Sequence, residues 1–354
     1  MNMKNKIPSR FAAFLRTVTG VALLGVALLA GFGSTASAAD TSSYKHLKVA
    51  LVLPGQINDK GFNENGYHAL QAIKEQYGAD IFYSESTPMM NWERVIRGFA
   101  DDGCDVIMLH GLEFQDAGMK YAKEYPNTIF LVSAGYADNG KNCFAVAVKS
   151  PQCAFLTGVL AGLQPGVDKA SALVAFEYPL LVSQAEGFRY GFRCANPKST
   201  SNIVIVGTFD DTMKGKEAAL ASISSGSQVN WQLADTAGLG IIQGANEKNT
   251  WVIGWGIDQS PLAPNVVLTT QKVDLSYAML DTVGDIAKGT FKPESRYYGV
   301  ECPAAGIGPV NPKVTAEQLA IVEKWREAIA SGKVQIPAMI KMNESQTLPL
   351  LTLP

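Results

Sequence analysis

The sequence predicts an α/β protein of two lobes, each a doubly wound parallel sheet flanked by helices. Three observations predict it. Short apolar runs rich in β-branched residues alternate with longer stretches of helical period. The alternation starts afresh after Pro151. The 354 residues, 47% of them hydrophobic, suffice for two ordinary domains behind an N-terminal leader.

The leader comes first. Lys4, Lys6, Arg10 and Arg16 precede an apolar core from Val21 to Phe32, and no further charge appears until Asp40. That core is shorter than the ~20 residues a membrane-spanning helix needs. Ala36-Ser37-Ala38 then offers a small-x-small cleavage pattern, so residues 1–38 read as a cleaved secretory signal peptide. No cysteine directly follows the apolar core to take a lipid, and the mature chain is expected in the periplasm, soluble rather than tethered. Losing the leader leaves 26 basic against 32 acidic residues, a net charge of about −6. That balance argues against nucleic acid as a partner and gives no polybasic face for anionic lipid.

In the first lobe the strands fall at Lys48 to Pro54, Asp80 to Tyr83, Asp105 to Leu109 and Thr128 to Val132. Helices lie between them, near Phe62 to Tyr77, Asn91 to Asp102 and Gln115 to Tyr125. Beyond Pro151 come a helix to Leu163, a strand at Ser171 to Phe176, a helix at Ser183 to Ala195 and a strand at Ser201 to Val206. A helix near Lys214 to Ser224, a strand at Gln228 to Leu233, a helix from Gly238 and a strand at Trp251 to Gly256 complete that lobe. No flexible linker separates the halves, so several short crossings are expected to join them. The segment Val266 to Lys288, a strand then a helix, is expected to return to the first lobe. The N-terminal lobe is then 44–148 plus 257–290, and the C-terminal lobe 149–256 plus 291–354.

Catalytic signatures are missing. The sequence has no GxSxG elbow, no HExxH and no phosphate loop, and His46, His68 and His110 are its three histidines. No cofactor or metal is called for. Cys104, Cys143, Cys153, Cys194 and Cys302 lack CxxC spacing; Cys143 and Cys153 are the candidates for a disulfide, and the odd count leaves a thiol free. The best enzyme lead is Gly238-Leu239-Gly240-Ile241-Ile242-Gln243-Gly244, a loose dinucleotide fingerprint with Asp258 downstream. The same glycines would alternatively bring backbone N–H groups at a helix start to a polar ligand oxygen.

Ligands of open α/β sheets bind beyond the carboxyl ends of the strands, which directs attention to the strand-to-helix loops. The first reads Asn58-Asp59-Lys60-Gly61-Phe62-Asn63, where a carboxylate, a ring and an amide open a helix. Later come Ala234-Asp235-Thr236-Ala237-Gly238 after the strand ending in Trp231, then Gly256-Ile257-Asp258-Gln259, then Thr269-Thr270-Gln271-Lys272-Val273-Asp274. Taken in this order, the four motifs resemble the basic membrane protein family of ABC-transporter solute-binding proteins, over nearly the whole mature chain.

The resemblance implies a type I periplasmic binding protein fold that closes on a small-molecule ligand by hinge rotation, with ABC permease subunits as partners. It implies a monomer that is not an enzyme. The family's ligand is a purine nucleoside or base, sandwiched by rings that match Phe62 and Trp231, with ribose hydroxyls held at Asp258 and Lys272. Asn63 matches the family's base-contacting amide, and Asp59, beside Asn58, orders the loop. Ser133 stands where the family places a base-reading carboxylate, which weakens purine specificity. His110, Glu177 and Asp235 stand at strand ends as candidates for that missing contact, and Trp92 as a third ring. Another flat heterocycle such as a flavin-like ring, a sensory-receptor role, and an exported nucleotide-dependent enzyme are the alternatives.

Overall fold

The structure, a computed structural model, describes residues 45–354. The leader expected over residues 1–38 lies outside the described residues. Two six-stranded sheets are present among them. The first contains β1 (Lys48–Val52), β2 (Asp80–Ser84), β3 (Val106–His110), β4 (Ile129–Ser133), β5 (Cys143–Val148) and β11 (Arg296–Tyr298), in the order β11-β5-β4-β3-β1-β2. The second contains β6 (Lys169–Val174), β7 (Thr200–Ile205), β8 (Val229–Leu233), β9 (Trp251–Gly256), β10 (Val267–Val273) and β12 (Ala305–Ile307), in the order β12-β10-β9-β8-β6-β7. Pairing is parallel throughout except between β10 and β12.

Helices cover both faces of each sheet, so the central strands carry apolar residues on both sides. All of Val106 to His110 and all of Cys143 to Val148 are buried. On one face of the first sheet, α1 (Phe62–Tyr77) and α8 (Leu275–Lys288) pack together over Leu51, Met108 and Leu131. On the other lie α2 (Trp92–Asp101) and α3 (Gln115–Glu124). In the second lobe α4 (Ser150–Gly162) pairs with α5 (Pro179–Ala195), and α6 (Thr212–Ser224) with α7 (Asp235–Glu247). Both pairs are close because glycines face the partner backbone. A Cβ on Gly158 would lie 2.0 Å from the Phe188 carbonyl oxygen, and one on Gly240 1.8 Å from that of Thr212.

The segment Val266 to Lys288 divides instead of returning whole. Strand β10 pairs with β9 in the second sheet, and α8 alone packs on the first lobe. Residues 296–298 likewise join the first sheet beside β5 rather than the second. The chain therefore passes between lobes near 148–150, 273–275 and 298–305. Asn65 of α1 clasps the middle passage, donating to the Val273 carbonyl (2.9 Å) and accepting from the Ser276 N–H (2.6 Å). After α9 (Ala316–Ala330), the chain runs back along α5. Fully buried Glu186 pairs with Arg189 at 2.5 Å and accepts from the backbone N–H groups of Asn343 and Ser345 and from the Ser345 hydroxyl. The Tyr190 hydroxyl donates to the Pro349 carbonyl at 2.6 Å.

Cys143 and Cys153 do not pair. One lies in β5 and the other in α4, and both are buried free thiols whose pKa burial raises to about 12. The other three cysteines are free as well.

Candidate functional site

In each sheet the lobe's first strand has its second strand on one side and its third on the other. The loops leaving these strands part in opposite directions and open a crevice at their carboxyl ends. In the first lobe the crevice lies between the loops after β1 and β3, which carry Phe62 and Glu113. In the second it lies between the loops after β6 and β8, which carry Phe176, Glu177, Tyr178 and Asp235.

The first loop is held by Asp59. Its Oδ1 accepts from the N–H groups of Gly61 and Glu64, and its Oδ2 from the N–H and Nδ2 of Asn63. The carboxylate thereby satisfies donors that the first turn of α1 leaves open, from two residues outside the N-cap, Gly61. Asn63 is 5% exposed, and its Oδ1 accepts from the Gly55 N–H at 3.0 Å. The amide expected to meet the ligand is thus engaged within its own loop. Asn58 is exposed beside it.

Beneath Phe62 lies His110, 1% exposed, with the two ring centres 4.1 Å apart. Its Nε2 is 2.7 Å from the Phe62 carbonyl oxygen and its Nδ1 2.9 Å from Ser133 Oγ. Burial lowers the imidazole pKa to about 4 against the opposing pull of the Phe62 carbonyl and Asp59, so the ring is neutral at pH 7. Ser133 is fully buried. Both side chains are buried, His110 beneath the Phe62 ring at the start of α1 and Ser133 bonded to the imidazole.

Trp231 is also core. It is fully buried, stacks on Phe188 at 5.8 Å and donates from Nε1 to Gln271 Oε1. The ring that approaches Phe62 across the cleft is Trp255, at 6.2 Å, in the next strand to the side. Its Nε1 donates to Gln184 Oε1 at 2.9 Å, which fixes the indole. Trp92 packs against Phe114 with ring centres 4.2 Å apart, donates to the Thr87 carbonyl and belongs to the first-lobe core.

The remaining candidates form two groups. Asp258 and Lys272 line one cavity of about 510 Å3 together with Asn65, His68, Thr270 and Asp274. Asp258 is exposed and accepts from the Ser260 N–H, while Lys272 Nζ is 3.7 Å from Asp274. Asp235 opens α7 across the cleft from the first loop, with φ of +45°. Burial, followed by the negative charges of Asp59, Glu113 and Asp210, raises its pKa to about 8. Glu177 is exposed between Phe176 and Tyr178, whose rings stack at 5.4 Å. Gln259 ties the lobes together, donating from Nε2 to the Lys60 carbonyl at 2.9 Å while its Oε1 accepts from Gln232 and the Trp255 N–H.

The glycines of the supposed dinucleotide fingerprint lie inside α7, with Gly240 against the Thr212 backbone and Gly238 against Gln232. They serve helix packing and make no phosphate loop.

Two lobes of this topology have a matching family. The model for PnrA-like ABC transporter substrate-binding proteins, abbreviated Bmp, matches residues 46–340. The chain belongs to this family. Among curated members, the ABC transporter nucleoside-binding protein BmpA of Lactococcus lactis subsp. cremoris is 24% identical over 91% of this chain and 98% of its own. Basic membrane protein A of Borreliella burgdorferi is 26% identical over 82% and 88%. A solved ABC transporter solute-binding protein from Conexibacter woesei superposes with a TM-score of 0.68 at 27% identity, covering 82% of this chain and 99% of that one. One from Aeropyrum pernix reaches 0.76 at 17% identity, covering 85% and 96%.

As a Bmp protein the chain is an ABC-transporter substrate-binding protein with the type I fold. Sequence reading missed Trp255 and Glu113 at the crevice and Gln184 behind Trp255, and it held Gln259 only as part of a motif. For Trp255 the signal was present, since it stands one residue before the carboxyl end of β9. Trp231 stands two residues inside β8.

Proposed function

We propose that the chain is exported and, as a monomeric periplasmic receptor, captures a small aromatic metabolite between its lobes for delivery to an ABC permease. A purine nucleoside or nucleobase is the favoured ligand. The observation that carries this reading is Phe62, a half-buried ring held at the crevice and facing Trp255 of the other lobe. The two rings are tilted by 43°, so a flat heterocycle would enter as they part and align, each stacked pair then adding about 0.5–1.5 kcal/mol beyond burial. The cavity shared by Asp258 and Lys272 is of small-ligand size. A carboxylate that accepts and an ammonium that donates suit a vicinal diol such as ribose. The name of the Lactococcus relative supports a nucleoside.

A second reading, another heterocycle such as a flavin-like ring, is favoured by burial of Ser133, which leaves no side chain at that position to read a purine edge. A thermal-shift panel of nucleosides, nucleobases, flavins, sugars and amino acids separates the two, because a ligand of the folded state raises the midpoint by mass action. Shifts with sugars or amino acids alone would sink the aromatic assignment. Loss of binding in Phe62→Ala with none in Asp258→Ala would favour a bare base over a nucleoside.

A further inference from the structure

We propose that His110 is a positioning residue for ligand capture, holding Phe62 at the crevice through the Phe62 main-chain carbonyl and itself oriented by Ser133. The inference rests on the reading of Phe62 as a wall of the ligand site, and it assigns His110 and Ser133 a role other than contact with the ligand. The Phe62 carbonyl oxygen only accepts, so the single proton of the neutral imidazole is on Nε2, 2.7 Å away. Nδ1 is then an acceptor, and the Ser133 hydroxyl 2.9 Å away donates to it. The Phe62 carbonyl therefore fixes the tautomer, and the Ser133 hydroxyl, which can donate or accept, complements it and holds the orientation of the ring.

Two further features fit a built arrangement. The imidazole and phenyl rings contact each other at 4.1 Å between centres, so the histidine touches Phe62 through both main chain and side chain. Helix α1 also carries Gly66 directly above the imidazole, where a Cβ would fall 2.7 Å from Nδ1 and 2.8 Å from Cε1. Glycine is unfavourable inside a helix, and here its missing side chain is the space the histidine occupies.

The test rests on reach. A glutamine amide extends about as far from the backbone as imidazole Nε2, an asparagine amide only as far as Nδ1. His110→Gln is therefore expected to keep the donor to Phe62, whereas His110→Asn and His110→Leu lose it. With para-fluorophenylalanine at position 62, the unliganded wild type and His110→Gln should each give one sharp fluorine resonance, and His110→Asn and His110→Leu a shifted or broadened one. Gly66→Ala, which presses on the imidazole from above, should resemble His110→Leu. Inosine affinity should fall roughly tenfold in His110→Asn and His110→Leu, the equivalent of one lost buried hydrogen bond, and recover in His110→Gln. Identical fluorine spectra in the wild type and the three His110 variants would overturn the proposal, as would equal spectra for the asparagine and glutamine variants. If inosine fails to bind the wild type, the nucleoside assignment falls while the fluorine spectra still decide the role of His110.

Discussion

At the crevice of the first lobe Asp59, Asn63, His110 and Ser133 are each bonded within that lobe. At the corresponding crevice of the second lobe the carboxylates of Asp235 and Glu177 take none of the side-chain hydrogen bonds found among the described residues, and Asp235 faces the like charges of Asp59 and Glu113. Two sheets of the same strand order have thus been finished differently. The first wall is a platform whose shape does not wait for a ligand, which lowers the ordering cost of binding. On the second wall the Asp235 and Glu177 carboxylates are left to whatever enters the cleft, and these two positions are where discrimination between ligands should be lost by mutation.

The largest expected effect separates the two tryptophans of the second lobe. Trp231→Ala should lower stability by about 3–5 kcal/mol, the usual range for a fully buried indole. Urea unfolding would read the loss, with affinity of the surviving folded protein unchanged. Trp255→Ala should weaken heterocycle binding measured by calorimetry. If Trp231→Ala weakens binding as much as Trp255→Ala, the assignment of one ring to the core and one to the cleft is wrong.

Next in size is the platform itself. Asp59→Ala should cost about 1–3 kcal/mol, because four donors lose a buried carboxylate. The amides of Gly61, Asn63 and Glu64 should exchange hydrogen faster. Glu177→Ala, opposite, should stay within about 0.5 kcal/mol of wild type. Equal losses in the two variants would remove the contrast between the walls.

The smallest effect is in pH. The Asp235 carboxyl has a pKa of about 8 in the fold against 3.8 as the ordinary value, so between those limits the folded chain keeps a proton that the unfolded chain has released. Its contribution is therefore lost as pH rises through that window. His110 runs the other way: with about 4 in the fold against 6.5, stability present above 6.5 is lost as pH falls towards 4. Asp235→Asn should raise the melting temperature at pH 8 by roughly 2–4 °C per kcal/mol relieved, much less at pH 4, and leave the acid limb unaltered. A uniform shift at all pH values would mean that Asp235 does not titrate in the cleft.

Much of the element order was legible because strand and helix periods differ and the central strands are apolar on both faces. The lobe of β10 was not, since Val267–Val273 mixes Thr269, Thr270, Gln271 and Lys272 with apolar residues, and no local pattern names its neighbours β9 and β12, which are set by tertiary pairing. Trp231 and Trp255 are alike in composition, and their difference lies in distance from the strand end. His110, Ser133 and Asn63 were singled out as polar groups at strand and helix ends, but burial beneath a loop depends on where α1 crosses the sheet, which no local pattern encodes. The start of α7 was read at Gly238, three residues late, because Asp235 adopts a left-handed conformation uncommon for a residue other than glycine.

The clasp on Glu186 sets a timetable. Its partner Ser345 is 159 residues further along the chain. Until residues 343–345 have docked, the only partner of the buried Glu186 carboxylate within α5 is Arg189, so the second lobe is not finished before its C-terminal segment is in place.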